Sequence, residues 1–561
     1  MKVGRNYSHF RGVDLRGGDI SLTHSPDSLN MWRDYAMTDA IRTRPSLRLH
    51  STWTETVYGI WFLGEQLLVH TGNQLYSTSP GQEPVEVYDV REMGYLQEAG
   101  GYASFLRDEG SYRVLYLLTG NRYLKYDGNA FPVEGYIPTT TIGRKPSGGG
   151  VTHESVNLLT AQRKNSFLAD GESTEFFLDA QQIDNGEYDD ITVWVDGEVV
   201  SKAEYTLDAA AGKVTFATAP PAPDTDGQDN VVILFSKTVP GNRERIEGCR
   251  LAVEFDNRIF FSGNPEYPNT LWHSALNDPE YIADVSYYQE GMDMAPIRGM
   301  VAGNNALWVF RETPGAGSAV FYHTPVLDED YGKIYPSIQA GISTGCVGAA
   351  VNFYDDIAFF STRGMEGIGG DIEGNSFLRH RSARVDRHFT AMKGYRDMIT
   401  QVWNGYLMVF AGKQCFLADS RSLDSDGYDW FVWELESPVR CTAVHGDTLY
   451  LGTEDGVFTL TGEEDVPSHW VTAKDDLGYP QLRKTTNKRG CVAEVTGDVC
   501  LSAITHGEES AVGDFCGVGD YLVGRIKEKK FKDIQLKFHS NTRFSLESVT
   551  LECYVGGYIK R

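Results

Sequence analysis

The sequence predicts an all-β protein: a β-propeller of about seven blades with an inserted β-sandwich (Ig-like) domain and a C-terminal β-domain. Three observations carry this expectation. Strand and turn formers dominate, with 30 Tyr, 27 Phe and 59 Gly against 11 Met. A two-strand pattern recurs along most of the chain. Two blocks of cleaner alternation interrupt or follow it.

The recurring unit is an apolar strand, a tight turn, and a second strand that ends in a small or polar residue. It first appears in "VYGIWFLGEQLLVHTGNQLYS" from Val57 and again in "ASFLRDEGSYRVLYLLTGNRYLKYDG" from Ala103, where Thr119-Gly120-Asn121 repeats Thr71-Gly72-Asn73. Further copies are "CRLAVEFDNRIFFSGNPEYPNTLWHS", "IRGMVAGNNALWVFRETPGAGSAVFYH", "VGAAVNFYDDIAFFSTRGMEGIGG", "MITQVWNGYLMVFAGKQCFLADS" and "VRCTAVHGDTLYLGTEDGVFTLTG". Gly-Glu, Asn-Asn, Asp-Asp, Asn-Gly or Gly-Asp supplies the turn. One such sheet cannot bury both faces, whereas several packed radially can, so a propeller explains the repetition better than unrelated hairpins in sandwiches.

The first block outside the repeat contains "ITVWVDGEVV", expected to place Val193, Val195 and Val199 on one face with a hairpin turn at Asp196-Gly197. The glycine-rich "KPSGGG" before it and "TVPGNRERIEG" after it mark domain-like boundaries. The second block holds "CVAEVTGDVCLSAITHG", "FKDIQLKFHS" and "SLESVTLECYVGG" and reads as a separate β-unit. The resulting layout is an N-terminal arm over 1–50, propeller over 51–143 and 243–464, the insert over 144–242, and a C-terminal β-domain over 465–561.

The opening stretch "SPDSLNMWRDYAMTDAIRTRPSLRL" is neither a leader peptide nor a regular amphipathic helix. It reads as an entry arm, with Met31 and Trp32 as anchors against the propeller or a neighbour, or else as a loop whose Trp packs locally. The most apolar window, "TVYGIWFLGEQLLVH", is interrupted by Glu65 and too short for a bilayer span, so no membrane insertion is expected.

Net charge is -26, which disfavours a basic groove for nucleic acid. The charge fits ordinary solubility or a surface past which DNA slides without sticking. The eight cysteines, Cys249, Cys346, Cys415, Cys441, Cys491, Cys500, Cys516 and Cys553, include no Cys-x-x-Cys pair and read as reduced thiols.

No catalytic, cofactor-binding or metal-binding residue is assigned. Asp224, Asp226 and Asp229 share the spacing D-x-D-G-x-D with Asp424, Asp426 and Asp429, but neither set is followed by the glutamate that closes an EF-hand loop, so both read as turns. The stretch "SLDSDGYDW", Ser422 to Trp430, approaches the Asp-box of sialidase propellers, with its glycine one residue late and Asp429 in place of threonine. There is no G-x-S-x-G, H-E-x-x-H or P-loop, and of 13 scattered histidines a lone one such as His273 reads as packed or superficial. Tyr and Trp in "GNPEYPNTLWHSALNDPEYI" read either as a contact patch or as inter-blade packing.

"YSHFRGVDLRGGD" followed by "SPDSLNMWRDYAMTDAIRTRPSLRL" resembles the start of a bacteriophage tail nozzle or tail-hub family (tail tubular protein B-like), in which "F.GVD" precedes "SP…NM..D..G…RPG". "RIFFSGNPEYPNTLWHSALNDPEYI", "YIPTTTIGRKPSGGG" and "FSLESVTLECYVGGYIKR" are similar to the same family, so the likeness spans nearly the whole chain. The chain departs at Met37-Thr38, where Gly is common, and at Pro45-Ser46, where Pro-Gly is usual. The resemblance implies a non-enzymatic virion protein, made in the host bacterial cytoplasm and placed in the tail. Its partners would be itself in a homohexameric ring, portal and adaptor proteins, tail fibres or spikes, and DNA passing without specific binding. A virion receptor-binding protein that reads surface glycan or protein is the alternative, and a glycan-cleaving propeller enzyme the weaker third.

Overall fold

In the computed structural model, residues 1–34, 40–72, 74–79, 82–89, 103–109, 112–128, 130–184, 191–329, 332–370, 375–517, 522–524 and 526–558 are described. Met37, Thr38, Asn73 and the last three residues of the chain lie outside this set.

Among the described residues, seven antiparallel sheets are built on the repeated motif. Blades 1 and 2 begin at Val57–Leu63 and Ala103–Glu109, and blades 3 and 4 at Leu251–Phe255 and Ile297–Gly303. Blades 5, 6 and 7 begin at Ala350–Phe353, Ile399–Trp403 and Val439–His445. These first strands are the inner ones. They pair on one side only, and those of blades 7 and 1, 2 and 3, 3 and 4, 4 and 5, and 6 and 7 lie side by side around the axis. The expected propeller is therefore the fold.

The second strand of each blade reads as a nearly unbroken apolar run because both its faces are buried. In blade 6, Tyr406–Ala411 is buried at every position. Leu407 and Val409 pack toward blade 5, and Tyr406, Met408 and Phe410 pack the other way, toward blade 7 and the C-terminal sheet. Blade 4 repeats this, with Leu307 and Val309 against blade 3 and Phe310 against blade 5. The core is thus a series of wedges between neighbouring blades.

Local chemistry sets the hairpins. Asp256-Asn257, Asn304-Asn305 and Asn404-Gly405 hold positive φ at both turn positions, as a type I′ turn requires. Gly64 and Gly446 hold it at the first position. In blade 5 the turn is Tyr354-Asp355 and not Asp-Asp, because Asp356 already pairs with Phe353. In blades 3 and 7 the Ser or Thr that ends the second strand ties down the connection to the third: Ser262 Oγ donates to Thr270 O at 2.7 Å and Thr453 Oγ1 to Gly456 O at 3.1 Å.

Between blades 2 and 3 the chain forms a sandwich of a six-stranded and a three-stranded sheet, running from Thr139–Arg144 to Val231–Ser236. Its first strand starts earlier than residue 144, and Ile246 of the following helix, Asn242–Glu247, packs into the wedge between blades 2 and 3. Asp196 and Gly197 make the expected turn, with φ of 51° and 83°. The expected Val face is corrected: Trp194 pairs with Val199, so Val199 lies on the opposite face from buried Val193 and is 65% exposed. A two-residue turn sets the register, and one step of register exchanges the faces.

The N-terminal arm is built into three other units. Ser46–Thr52 is the outer strand of blade 7, paired along Gly456–Gly462, so the propeller closes through strands from both ends of the chain. Gly12–Val13 joins the outer strand of blade 6 through Val13 and Trp430. Lys2–Tyr7, Ser28–Leu29, Met31–Arg33 and Ile41–Thr43 enter the C-terminal sheet, which has eleven strands among the described residues. The C-terminal unit is thus not separate in its backbone pairing. Its strand Leu482–Thr505, 24 residues long, changes partners along its length through several register shifts, which lets the sheet bend.

Candidate functional site: the propeller axis and the arm seam

A cavity of about 610 Å³ lies along the axis, walled by the inner strands of blades 7, 1 and 2 with Ile399 of blade 6. Tyr58, Trp61, Phe62, Phe105 and His445 line it. Phe62 stacks on His445 with centroids 4.4 Å apart, and His445 Nε2 is 3.4 Å from Glu65. β-Bulges at the start of three inner strands follow Val57, Ile297 and Val439. Two of the bulged residues are arginines held by glutamates, Arg298 by Glu312 at 2.8 Å and Arg440 by Glu454 at 2.6 Å. The cavity has the volume of a small-molecule site and is far too small for a nucleic-acid duplex.

The arm seam holds a dense cluster of ion pairs. Asp429, whose side chain is fully buried, accepts from Arg11 Nε at 2.8 Å, lies 3.1 Å from His24 Nε2 and 3.5 Å from Arg384 Nη1. Asp424 receives Arg384 at 2.5 Å and Arg11 at 3.1 Å. Burial pushes the Asp424 carboxyl up, but hydrogen bonds from Arg384 and the Asp426 N–H, with the charge of Arg11, hold it below the usual carboxylate value. Asp426 takes Arg16, which also grips Asp14 at 2.7 Å. This D-x-D-G-x-D segment is therefore an arginine-binding turn, and Asp429, at the position of the Asp-box threonine, anchors two arginines. A Cβ on Gly12 would stand 2.5 Å from the Trp430 carbonyl, so glycine is needed where the arm crosses blade 6.

The rest of the arm is equally architectural. Met31 and Trp32 are buried, and Trp32 stacks on Trp403 at 6.1 Å and meets Trp433 edge-on at 5.5 Å. Arg44 is 1% exposed and bonds Asn30 Oδ1 at 3.0 Å, the Glu434 carbonyl at 2.7 Å and Glu436 at 2.9 Å. Ser46 opens the closing strand, and its hydroxyl accepts from the Glu464 N–H at 2.9 Å.

The other candidates separate. Asp229 accepts from the Gly143 N–H at 2.8 Å in the insert. His273 packs against Tyr288 and Phe260, and burial takes its pKa down to about 4. Trp272 is 2% exposed and Tyr267 38%, so this stretch is mainly inter-blade packing. The cysteines whose side chains are described are free thiols, and burial pushes Cys346, Cys441, Cys491 and Cys553 up to about 12. Among the described residues no group of three or more His, Cys, Asp and Glu is placed to hold a metal ion, and no helix is long and apolar enough to cross a membrane.

Sequence reasoning did not single out His380. Its Nε2 is 2.6 Å from Asp386 and its Nδ1 3.2 Å from the buried Glu366. Hydrogen bonds donated by the ring N–H groups to Asp386, then to Glu366, raise its pKa to about 9 against the opposing effect of burial. The folded value lies above the unfolded one of about 6.5, so this stabilisation is complete below about pH 6.5 and is lost as pH rises through 9. With the ring 31% exposed, solvent screening leaves roughly 1–2 kcal/mol. Urea midpoints of wild type are expected to fall relative to those of His380→Gln between these pH values. Parallel profiles for the two proteins would refute the assignment.

No family model and no curated protein matches the chain. Among solved structures, BamB from Moraxella catarrhalis is 12% identical, covering 74% of this chain and 96% of that one, with a TM-score of 0.33. A putative gluconolactonase is 10% identical, covering 74% and 91%, with a TM-score of 0.28. The Neurospora crassa Pan2 WD40 domain is 9% identical, covering 74% and 94%, with a TM-score of 0.25. Likeness at this level supports no inference about activity, and the propeller is read from its own sheets.

Proposed function

We propose that this chain is a non-enzymatic structural subunit of a bacteriophage tail, a nozzle or hub protein. In this reading copies join in a homohexameric ring beneath the portal and adaptor, and the ring encloses the path by which the genome leaves the virion. One observation supports it above the others. The arm that carries the family-like text threads through blade 6, blade 7 and the C-terminal sheet, so these three units are mechanically interlocked. Such a body suits a load-bearing ring, because pulling on one unit loads the backbone pairing of the others.

The axial cavity is too small to be the conduit, so the DNA path would lie between subunits, where head-to-tail contacts close into a ring. The net charge of -26 favours walls that DNA passes without adhering. The insert and the C-terminal sheet stand outside the propeller and would supply contacts for fibres and adaptor proteins. Electron microscopy of the intact particle tests the reading: a closed ring of this chain on the tail axis is expected. A peripheral position, or retention of duplex DNA by the purified chain at physiological salt, would overturn it.

A further inference from the structure

The insert carries a groove of about 600 Å³ on the face of its six-stranded sheet that looks away from the sandwich core. Phe167, Val193, Val231, Ile233 and Phe235 point inward and are buried. Alternation turns Lys164, Val232 and Trp194 outward, and Val232 pairs with Trp194 to make an apolar floor. The Asp196-Gly197 turn and the loop from Pro223 to Asn230 form the wall.

The wall is held rigidly from beneath. Asn230, itself 8% exposed, donates to Pro221 O at 2.9 Å and to Asp196 at 3.3 Å, and accepts from the Ala169 N–H at 3.1 Å. Its own N–H reaches Phe167 O at 3.0 Å. The groups that face the groove are unengaged. Among the described residues, Trp194 makes no ring contact, and the side chains of Lys164, Asp224, Thr225 and Gln228 have no hydrogen-bond or ion-pair partner. A partly exposed indole beside unengaged donors and acceptors, on a loop anchored by Asn230, is a combination that self-packing does not require.

We infer that this groove binds a short stretch of neutral oligosaccharide, with a pyranose ring stacked on Trp194 and its hydroxyls hydrogen-bonded by Asp224, Gln228 and Lys164. A sugar presents an apolar C–H face and a rim of hydroxyls, which matches an indole floor with a polar wall. Preorganisation of the wall spares the ordering entropy that weakens binding to mobile loops. Charge selects the class: Asp196, Asp224 and Asp229 outnumber Lys164, so sugars bearing carboxylate, phosphate or sulfate are repelled. This inference is independent of the tail reading, since any protein that carries the insert would have the site.

The test is calorimetric titration of the full chain with maltotetraose, cellotetraose, tetra-N-acetylchitotetraose and β-galactotetraose, against sialyllactose and trigalacturonate. Saturable binding of at least one neutral probe is expected, with both acidic probes weaker. Trp194→Ala should weaken that binding by about tenfold or more, and Trp194→Phe, which keeps a ring, by less. Gln228→Ala and Asp224→Asn, both in the exposed wall, should weaken it while leaving the melting curve unchanged, which separates lost contacts from misfolding. No binding of any neutral probe up to about 10 mM, acidic probes bound as tightly as neutral ones, or affinity unmoved by all four substitutions would overturn the inference.

Discussion

Removing residues 1–55 is expected to leave no folded monomer. The deletion strips the outer strand from blade 7 and exposes the edge of Gly456–Gly462. It also takes Tyr7, Phe10, Met31, Trp32 and Ile41 out of the core shared by blades 6 and 7 and the C-terminal sheet. Each such side chain contributes about 1.5–3 kcal/mol by burial, so together they rival a typical net stability of about 5–15 kcal/mol. The truncated chain should aggregate or elute as an expanded species with no cooperative unfolding transition. Co-refolding with a peptide of residues 1–55 should restore the transition, because the missing strands would pair from a second molecule. Cooperative melting of the truncated chain within a few degrees of wild type would show that the arm is ornamental.

The second large effect is expected at Asp429. Replacing it with Ala leaves Arg384, whose side chain is 5% exposed, and His24, at 3%, beside an empty carboxylate position. Breaking a buried ion pair from one side typically loses about 3–5 kcal/mol, because the remaining charge is desolvated without compensation. Asp424 still engages both arginines, which places Asp429→Ala toward the lower end of that range. Asp426→Ala is the control. Its pair with Arg16 is 41% and 44% exposed, and its loss should lie within about 0–1 kcal/mol. Urea denaturation of both variants, with a double-mutant cycle between Arg11 and Asp429, measures the coupling directly. Equal stability of the two variants would contradict the burial argument.

How much of this was legible depends on the range of each interaction. The blades were visible because their determinants are local: a run such as Tyr406–Ala411 is apolar throughout since both faces meet neighbouring blades, and Asn404-Gly405 encodes its own turn. The Asp424–Asp429 turn was visible as a turn, but its purpose was not. Arg11 and Asp429 are 418 positions apart, and nothing in either local sequence points to the other. His380 escaped notice for a similar reason, since a His becomes informative only once two carboxylates are seen to flank it. The Val199 face was misjudged because alternation was carried across a turn that resets it.

By itself, then, the sequence determined the all-β class, the repeated blades, the interruption by a sandwich and the acidic surface, all of which follow from residue type and short-range periodicity. Tertiary structure alone decided that the first strands close the last blade and complete the C-terminal sheet, that an apparent metal or Asp-box motif is a socket for arginines, and that Trp194 faces a groove. The physical reason is that backbone pairing and charge compensation act between surfaces brought together by folding, and a chain records such partners only as separate, individually ordinary residues.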